Sequence, residues 1–166
     1  IALCTQQTPD QGAYAVKILV LPLLYRCNCR CVMCNVWNTQ EHAALSSAQI
    51  RWLVTQGEVL STVQAVNVTG GEPTLHTDFR SIIETLLLLP QISTLTVQTN
   101  GLDTTRVVEE VRFCTDLLLQ LQSKGQVVHL DINISMDGPA TVHDQIRGVE
   151  GAWDAAVATA RVARTI

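Results

Sequence analysis

The sequence predicts an α/β fold built on a parallel sheet. Two observations carry the prediction. Four short runs of β-branched and aliphatic residues alternate with four segments whose apolar residues recur at helical spacing. The runs are also nearly continuous in apolar character, the pattern of strands covered by helices on both faces. Right-handed crossovers between such strands bring every carboxyl end to one edge of the sheet.

The elements follow in chain order. Residues 1–15 are an N-terminal extension and residues 16–166 a single core. Val16–Leu21 is the first strand, stopped at Pro22. Ser46 opens the first helix in capping-box spacing with Gln49; Ile50, Leu53 and Val54 give its apolar face, and Gly57 stops it. Val63–Thr69 is the second strand, ended by Gly70-Gly71. Thr77 or Asp78 caps a helix with Phe79, Ile82, Ile83, Leu86 and Leu87 on its core face, terminated by Pro90. Ile92–Thr99 is the third strand, broken by the turn pair Asn100-Gly101. Asp103 caps the third helix, lined by Val107, Val111, Leu118 and Leu121 and ended at Gly125. Val127–Ser135 is the fourth strand, stopped by Gly138-Pro139. The last helix starts near Gly151 and carries Trp153, Ala156, Val157 and Ala160. An open doubly wound sheet and part of a closed barrel both fit this order.

Composition excludes several classes. With 47% hydrophobic and 16% charged residues the chain is not disordered. Its longest apolar stretches fall short of the ~18–20 residues a membrane-spanning helix needs. A net charge of −4 without any Lys/Arg run leaves no footprint for a nucleic-acid backbone. The start at Ile1 has neither the basic nor the apolar region of a signal peptide, so a cytoplasmic location is expected. The non-Met start, the four βα units and the ending inside a helix read as a piece of a larger protein.

The six cysteines are unevenly spread. Cys27, Cys29, Cys31 and Cys34 lie within eight residues, whereas Cys4 and Cys114 stand alone. Bunched thiols in a chain without an export signal point to metal ligation rather than disulfides. The frame Cys27-x3-Cys31-x2-Cys34 suits three irons of a [4Fe–4S] cluster, leaving one iron open. Zinc is the competitor. Structural zinc usually takes two separated Cys/His pairs, and His42, His76, His129 and His143 supply no paired spacing. All four strand ends carry polar or Gly-rich stretches: the cysteine run, Gly70-Gly71-Glu72-Pro73, Thr99-Asn100-Gly101 and Ser135-Met136-Asp137-Gly138-Pro139. Parallel α/β folds build their sites at that edge.

These motifs resemble the radical S-adenosylmethionine (radical SAM) enzymes. The cysteine frame matches their cluster motif and Gly70–Pro73 their second motif. Ser135–Pro139 with His143-Asp144 and Ile146-Arg147-Gly148 is similar to the fourth-strand segment of members that mature peptides and proteins. The resemblance runs from about Val16 to Gly151. It implies a partial TIM-like (β/α) barrel of parallel strands, with four βα units present of an expected six.

It also implies a set of roles. Cys27, Cys31 and Cys34 would ligate the cluster, and SAM would chelate the open iron. Gly70, Gly71 and Glu72 would contact the SAM amino group, a carboxylate suiting an ammonium. Ser135 and Arg147 would bind its carboxylate or ribose, Asn100 would lie near the ribose, and Met33 would lean on the adenine. No catalytic residue beyond these cofactor ligands is implied. An external one-electron donor, flavodoxin- or ferredoxin-like, would reduce the cluster. A 5′-deoxyadenosyl radical would then abstract hydrogen from a peptide, protein or small-molecule substrate. The alternative is a non-catalytic iron–sulfur or zinc module, or an inactive truncated fragment.

Other residues take plainer readings. Cys29 is an extra thiol in the loop that either competes as a ligand or points away; the second reading is favoured because the ligand frame is complete without it. Cys114, His129 and Trp52 read as packing residues. Asp137 either caps the turn before Pro139 or touches ligand. Trp37 is read as shielding the cluster from water.

Overall fold

A computed structural model describes residues 2–7, 14–39, 44–56 and 58–166. Its centre is one five-stranded sheet in the order β1-β2-β3-β4-β5. The strands are β1 (Ala2–Gln7), β2 (Tyr14–Pro22), β3 (Ala65–Thr69), β4 (Thr94–Thr99) and β5 (His129–Ile134). β2 to β5 are parallel, the four strands expected, and β1 adds an antiparallel edge strand from within the N-terminal extension. Five helices connect or follow them: α1 (Ser47–Gln56), α2 (Phe79–Leu86), α3 (Thr104–Gln122), α4 (Ala140–Arg147) and α5 (Ala152–Ala163). No helix among the described residues is long and apolar enough to cross a membrane.

Local chemistry explains most boundaries. The α1 capping box is reciprocal: Ser46 N donates to Gln49 Oε1 at 2.9 Å, and Gln49 N donates to Ser46 Oγ at 3.2 Å. Gly57, expected to stop this helix, lies outside the described residues. Asp103 caps α3 by accepting from Arg106 N at 3.0 Å. Asp78 sits at the α2 N-cap but spends its carboxylate on the neighbouring helix, accepting from Ser47 N and Ser47 Oγ at 3.3 and 3.0 Å. That ties the start of α1 to the start of α2.

α4 corrects the expectation that Gly138-Pro139 simply stops a strand. Pro139 takes the N-cap position and the helix starts at Ala140. Proline is tolerated there because helix-start N–H groups lack intrahelical partners anyway. Gly148, at φ +64°, closes the helix in the left-handed conformation.

The core lies between the sheet and α1 to α3. α2 buries Phe79, Ile82, Ile83 and Leu86 almost completely, each burial contributing roughly 1.5–3 kcal/mol. α3 buries Val107, Val108, Val111, Cys114 and Leu118, while Leu121 is only half-buried. On α5 the buried residues are Ala152, Ala156 and Thr159; Trp153 and Val157 are half-buried and Ala160 is exposed. The small residues win that face because α5 runs against Gly101, where an added Cβ would lie 3.2 Å from Ala156 Cα. Thr159 Oγ1 donates to the Gly101 carbonyl at 2.7 Å.

The strands are not buried on both faces, as near-continuous apolar runs would suggest. β3 and β4 alternate, with Val66, Val68, Leu95 and Val97 buried toward the helices. The other face carries the register row Val20, Asn67, Thr96 and Asp131, and the pairs Pro22–Thr69 and Gln98–Asn133. That face is polar and half-open. Trp52 and His129 also depart from their packing readings. Trp52 is 64% exposed on α1 and the His129 side chain 81% exposed on the β5 edge.

Candidate functional site

Two concavities differ in chemistry. An apolar cavity of about 340 Å³ between β2, α1 and α2 is lined by Leu19, Leu21, Ile50 and Leu86 among others, with no ionisable group on its wall. A cleft of about 160 Å³ at the carboxyl ends of the parallel strands carries the reactive residues. Cys27, Cys31, Cys34 and Met33 reach it from the loop after β2. Gly70 and Gly71 come from the end of β3, Asn100 from β4, Ser135 from β5 and Arg147 from the last turn of α4. Of the residues expected in the site, Glu72 alone does not line this cleft.

The glycine pair serves the chain's own backbone. Gly70 has φ +133°, and a Cβ there would lie 2.6 Å from the Leu24 carbonyl oxygen. A Cβ on Gly71 would fall onto the Arg26 carbonyl. Gly71 N donates to Leu24 O at 2.8 Å and Glu72 N to Arg26 O at 3.0 Å. The glycines thus let the start of the cysteine loop lie flush against the end of β3.

Glu72 is buried, with both carboxylate oxygens occupied. Oε1 accepts from Thr74 N, Thr74 Oγ1 and Thr99 Oγ1 at 3.3, 2.7 and 2.9 Å, and Oε2 accepts from Asn100 N at 2.8 Å. Burial pushes its carboxyl above the ordinary range, against hydrogen bonds that pull it down. The side chain joins the end of β3 to the end of β4. Asn100 Oδ1 accepts from Leu102 N at 2.9 Å, the turn bond its sequence suggests, and Gly101 follows at φ +72°. Its amide nitrogen donates to Asn28 Oδ1 at 2.7 Å and reaches Cys27 Sγ at 3.7 Å. The residue is part of the turn and of the cleft together.

The cysteines occupy different environments. Cys27 is half-buried, Cys29 and Cys31 are buried and Cys34 is exposed. Cys29 N donates to Cys27 Sγ at 3.4 Å. Hydrogen bonding from Cys29, with help from the Asn100 amide, holds the Cys27 thiol down at about 6 despite burial. Cys29 is shifted upward by its bond to Cys27 and by burial, so it keeps its proton. It lines the cleft, contrary to the reading that it points away. Trp37 also lines the cleft and donates from Nε1 to the Cys31 carbonyl at 3.3 Å. Cys114 is a packing thiol in the core, pushed up to about 12 by burial.

The donor set is one of thiols gathered at a single cleft. A zinc ion needs its ligands to converge at ~2.3 Å for sulfur. Among the described residues no three His, Cys, Asp or Glu groups are placed to hold a single metal ion. Cys27, Cys31 and Cys34 all line one cleft, and a cubane takes each thiolate on a different iron.

The segment after β5 contributes a charge pair. Asp137 neither caps the turn nor faces open solvent: its carboxylate accepts from Arg147 Nε and Nη2 at 2.6 and 3.1 Å. Asp144 holds the start of α5, accepting from Gly151 N and Trp153 N at 2.8 Å each. Thr69, Gln98 and Thr99 also line the cleft. The sequence signal for the first two was their place at strand ends on the polar face, which the apolar-run reading hid.

A family model described as Radical SAM superfamily matches residues 21–166. The mycofactocin maturase MftC of Mycolicibacterium smegmatis is 30% identical over 150 residues, covering 89% of this chain and 34% of that protein. The GTP 3′,8-cyclase of Pectobacterium atrosepticum is 36% identical over 111 residues, covering 64% of this chain and 33% of that protein. Among solved structures, a tagged form of anSMEcpe with bound AdoMet gives a TM-score of 0.64 at 20% identity, over 90% of this chain and 40% of that one. Streptococcus suis SuiB bound to S-adenosylmethionine gives 0.61 at 18% identity, over 91% of this chain and 32% of that one. These structural likenesses bear on the fold, a partial TIM-type barrel. The chain spans about a third of the length of the curated relatives it matches.

Proposed function

The chain belongs to the radical SAM superfamily, whose members use a [4Fe–4S] cluster and SAM, and on that premise we propose that residues 16–166 are the first four βα units of such an enzyme's core. When bound, the two cofactors supply reductive cleavage of SAM to a 5′-deoxyadenosyl radical that takes hydrogen from a substrate. Cys27, Cys31 and Cys34 would hold three irons, with Cys29 beside them in the same loop. The main chain at Gly70 and Gly71 meets the SAM amino group. Glu72 sets that stretch in place from behind, which refines the direct carboxylate contact expected of it. Ser135 and Arg147 face the SAM carboxylate or ribose, Asn100 the ribose, and Met33 the adenine. Trp37 and the loop keep water off the cleft.

The observation that carries this reading is the meeting of four thiols, three of them in the Cys27, Cys31 and Cys34 frame, with the ends of β3, β4 and β5 in one cleft. An external one-electron donor of flavodoxin or ferredoxin type completes the reaction. A peptide or protein substrate is supported by the likeness to a maturase and by the Ser135–Gly148 segment. A small molecule is the other outcome, in line with the cyclase relatives.

The test is anaerobic reconstitution. Iron and sulfide should load to about four each per chain, with a broad absorbance at ~400 nm. Reduced protein should then form 5′-deoxyadenosine from SAM, and Cys31→Ala should lose both properties. A chain that holds one zinc and refuses iron would sink the reading.

A further inference from the structure

Arg147 is fixed from two sides. Its Nε and Nη2 fork onto the Asp137 carboxylate at 2.6 and 3.1 Å, which sets the plane of the guanidinium. The remaining edge then meets the cysteine loop, with Nη1 donating to Cys31 Sγ at 3.7 Å. The backbone holds the same geometry. Arg30 N donates to Arg147 O at 2.8 Å and Val32 N to Ile146 O at 2.9 Å, so the residues flanking Cys31 cap the free carbonyls of the last turn of α4. At Gly148 a Cβ would come within 2.5 Å of the Arg30 carbonyl oxygen, so the loop and helix end are in direct contact.

Behind Asp137 stands His143, fully buried. Its Nδ1 lies 3.2 Å from Asp137 N and 3.3 Å from Asp137 Oδ2, and among the described residues its Nε2 has no partner. An orphaned buried polar atom costs about 1–3 kcal/mol. A leucine of similar size would avoid that cost, so the ring's contribution lies in its contacts with the Asp137 backbone and carboxylate.

We propose that Arg147 donates a hydrogen bond and its charge to the Cys31 thiolate, and that Asp137 and His143 are positioning residues that keep it there. The inference rests on the cluster reading above. A donor and a positive charge at a ligand sulfur favour the reduced cluster and raise its potential. With two of its donor atoms committed to Asp137, the guanidinium is also partly neutralised, a weaker trap for a ligand carboxylate than a free arginine.

The test is a redox titration of the reconstituted cluster, read by electron paramagnetic resonance. Arg147→Met should move the midpoint potential to more negative values than wild type. Asp137→Asn separates positioning from charge. Removing a negative group would by itself raise the potential, whereas release of Arg147 from Cys31 lowers it, and a lowered value is expected. His143→Gln, which restores an acceptor for Asp137 N, should lie closer to wild type than His143→Leu. An unmoved potential in Arg147→Met overturns the proposal, even if SAM affinity falls. An unmoved or raised potential in Asp137→Asn, or equal values for the two His143 variants, overturns the positioning roles. Should Arg147→Met fail to fold, Arg147→Lys keeps the charge but cannot fork Asp137 and reach Cys31 together; a wild-type potential there also overturns the proposal. Wild-type protein that takes up no cluster fails the proposed function itself, a result distinct from a loaded cluster whose potential ignores these residues.

Discussion

The two halves of the cysteine loop are built differently. From Leu24 to Val32 the chain is stitched to its surroundings: Leu24 O and Arg26 O accept from Gly71 and Glu72, and Arg30 N and Val32 N donate into the end of α4. Cys29 and Cys31 are buried in this half. Beyond it, Met33 is 63% exposed and Cys34 is exposed. A single turn bond from Cys34 N to Cys31 O, a short 3-10 turn at Val36–Asn38 and the Trp37 indole hold this half. Two of the three expected thiolates are therefore preset by the fold, and the third sits on the more exposed half. One side of the loop is thus tied down and the other is open to solvent.

Substitutions can break that contrast, and the largest effect belongs to the fixed side. Gly71→Ala drives a methyl group onto the Arg26 carbonyl and should cost up to about 3 kcal/mol, read as a fall in the urea midpoint. A variant as stable as wild type would mean that the loop gives way easily. Glu72→Gln comes next. It turns an amide N–H toward either Asn100 N–H or the Thr74 and Thr99 donors, for a loss of about 1–3 kcal/mol. Its pH dependence has a definite sign. The native carboxyl is raised by burial, so wild type loses stability as pH rises through that raised value. The gap to the glutamine variant should narrow with increasing pH; a widening gap contradicts the assignment.

Cys29→Ala sharpens the contrast within the fixed half. It should cost about 1 kcal/mol of stability for a small buried side chain and leave iron uptake at the wild-type level. Iron lost in this variant would make Cys29 a ligand. The smallest effect belongs to the open half. Val32, 77% exposed, can be changed to Ala within about 0.5 kcal/mol, and a larger loss by calorimetry would show that the half is not open.

The sequence announced the alternation of strands and helices because turn residues punctuate it, as at Gly70-Gly71 and Asn100-Gly101. It announced the cleft because cysteines, glycines and an Asn fall just after strands. Three things stayed hidden. α4 was masked by Gly138-Pro139, which stops a strand and opens a helix in one step. The polar face of the sheet was masked because single polar residues such as Asn67 and Thr96 sit between valines and leucines. The direction of Glu72 depends on Thr74 and Thr99, partners that no spacing rule links to it.

The Arg147–Cys31 contact spans 116 positions of sequence. A ribosome adding ~5–20 residues per second needs roughly 6–23 s to cover that distance. During nascent growth the thiols of the loop are present long before the helix end that fixes them. The cysteine loop is thus an early-made part that is closed late.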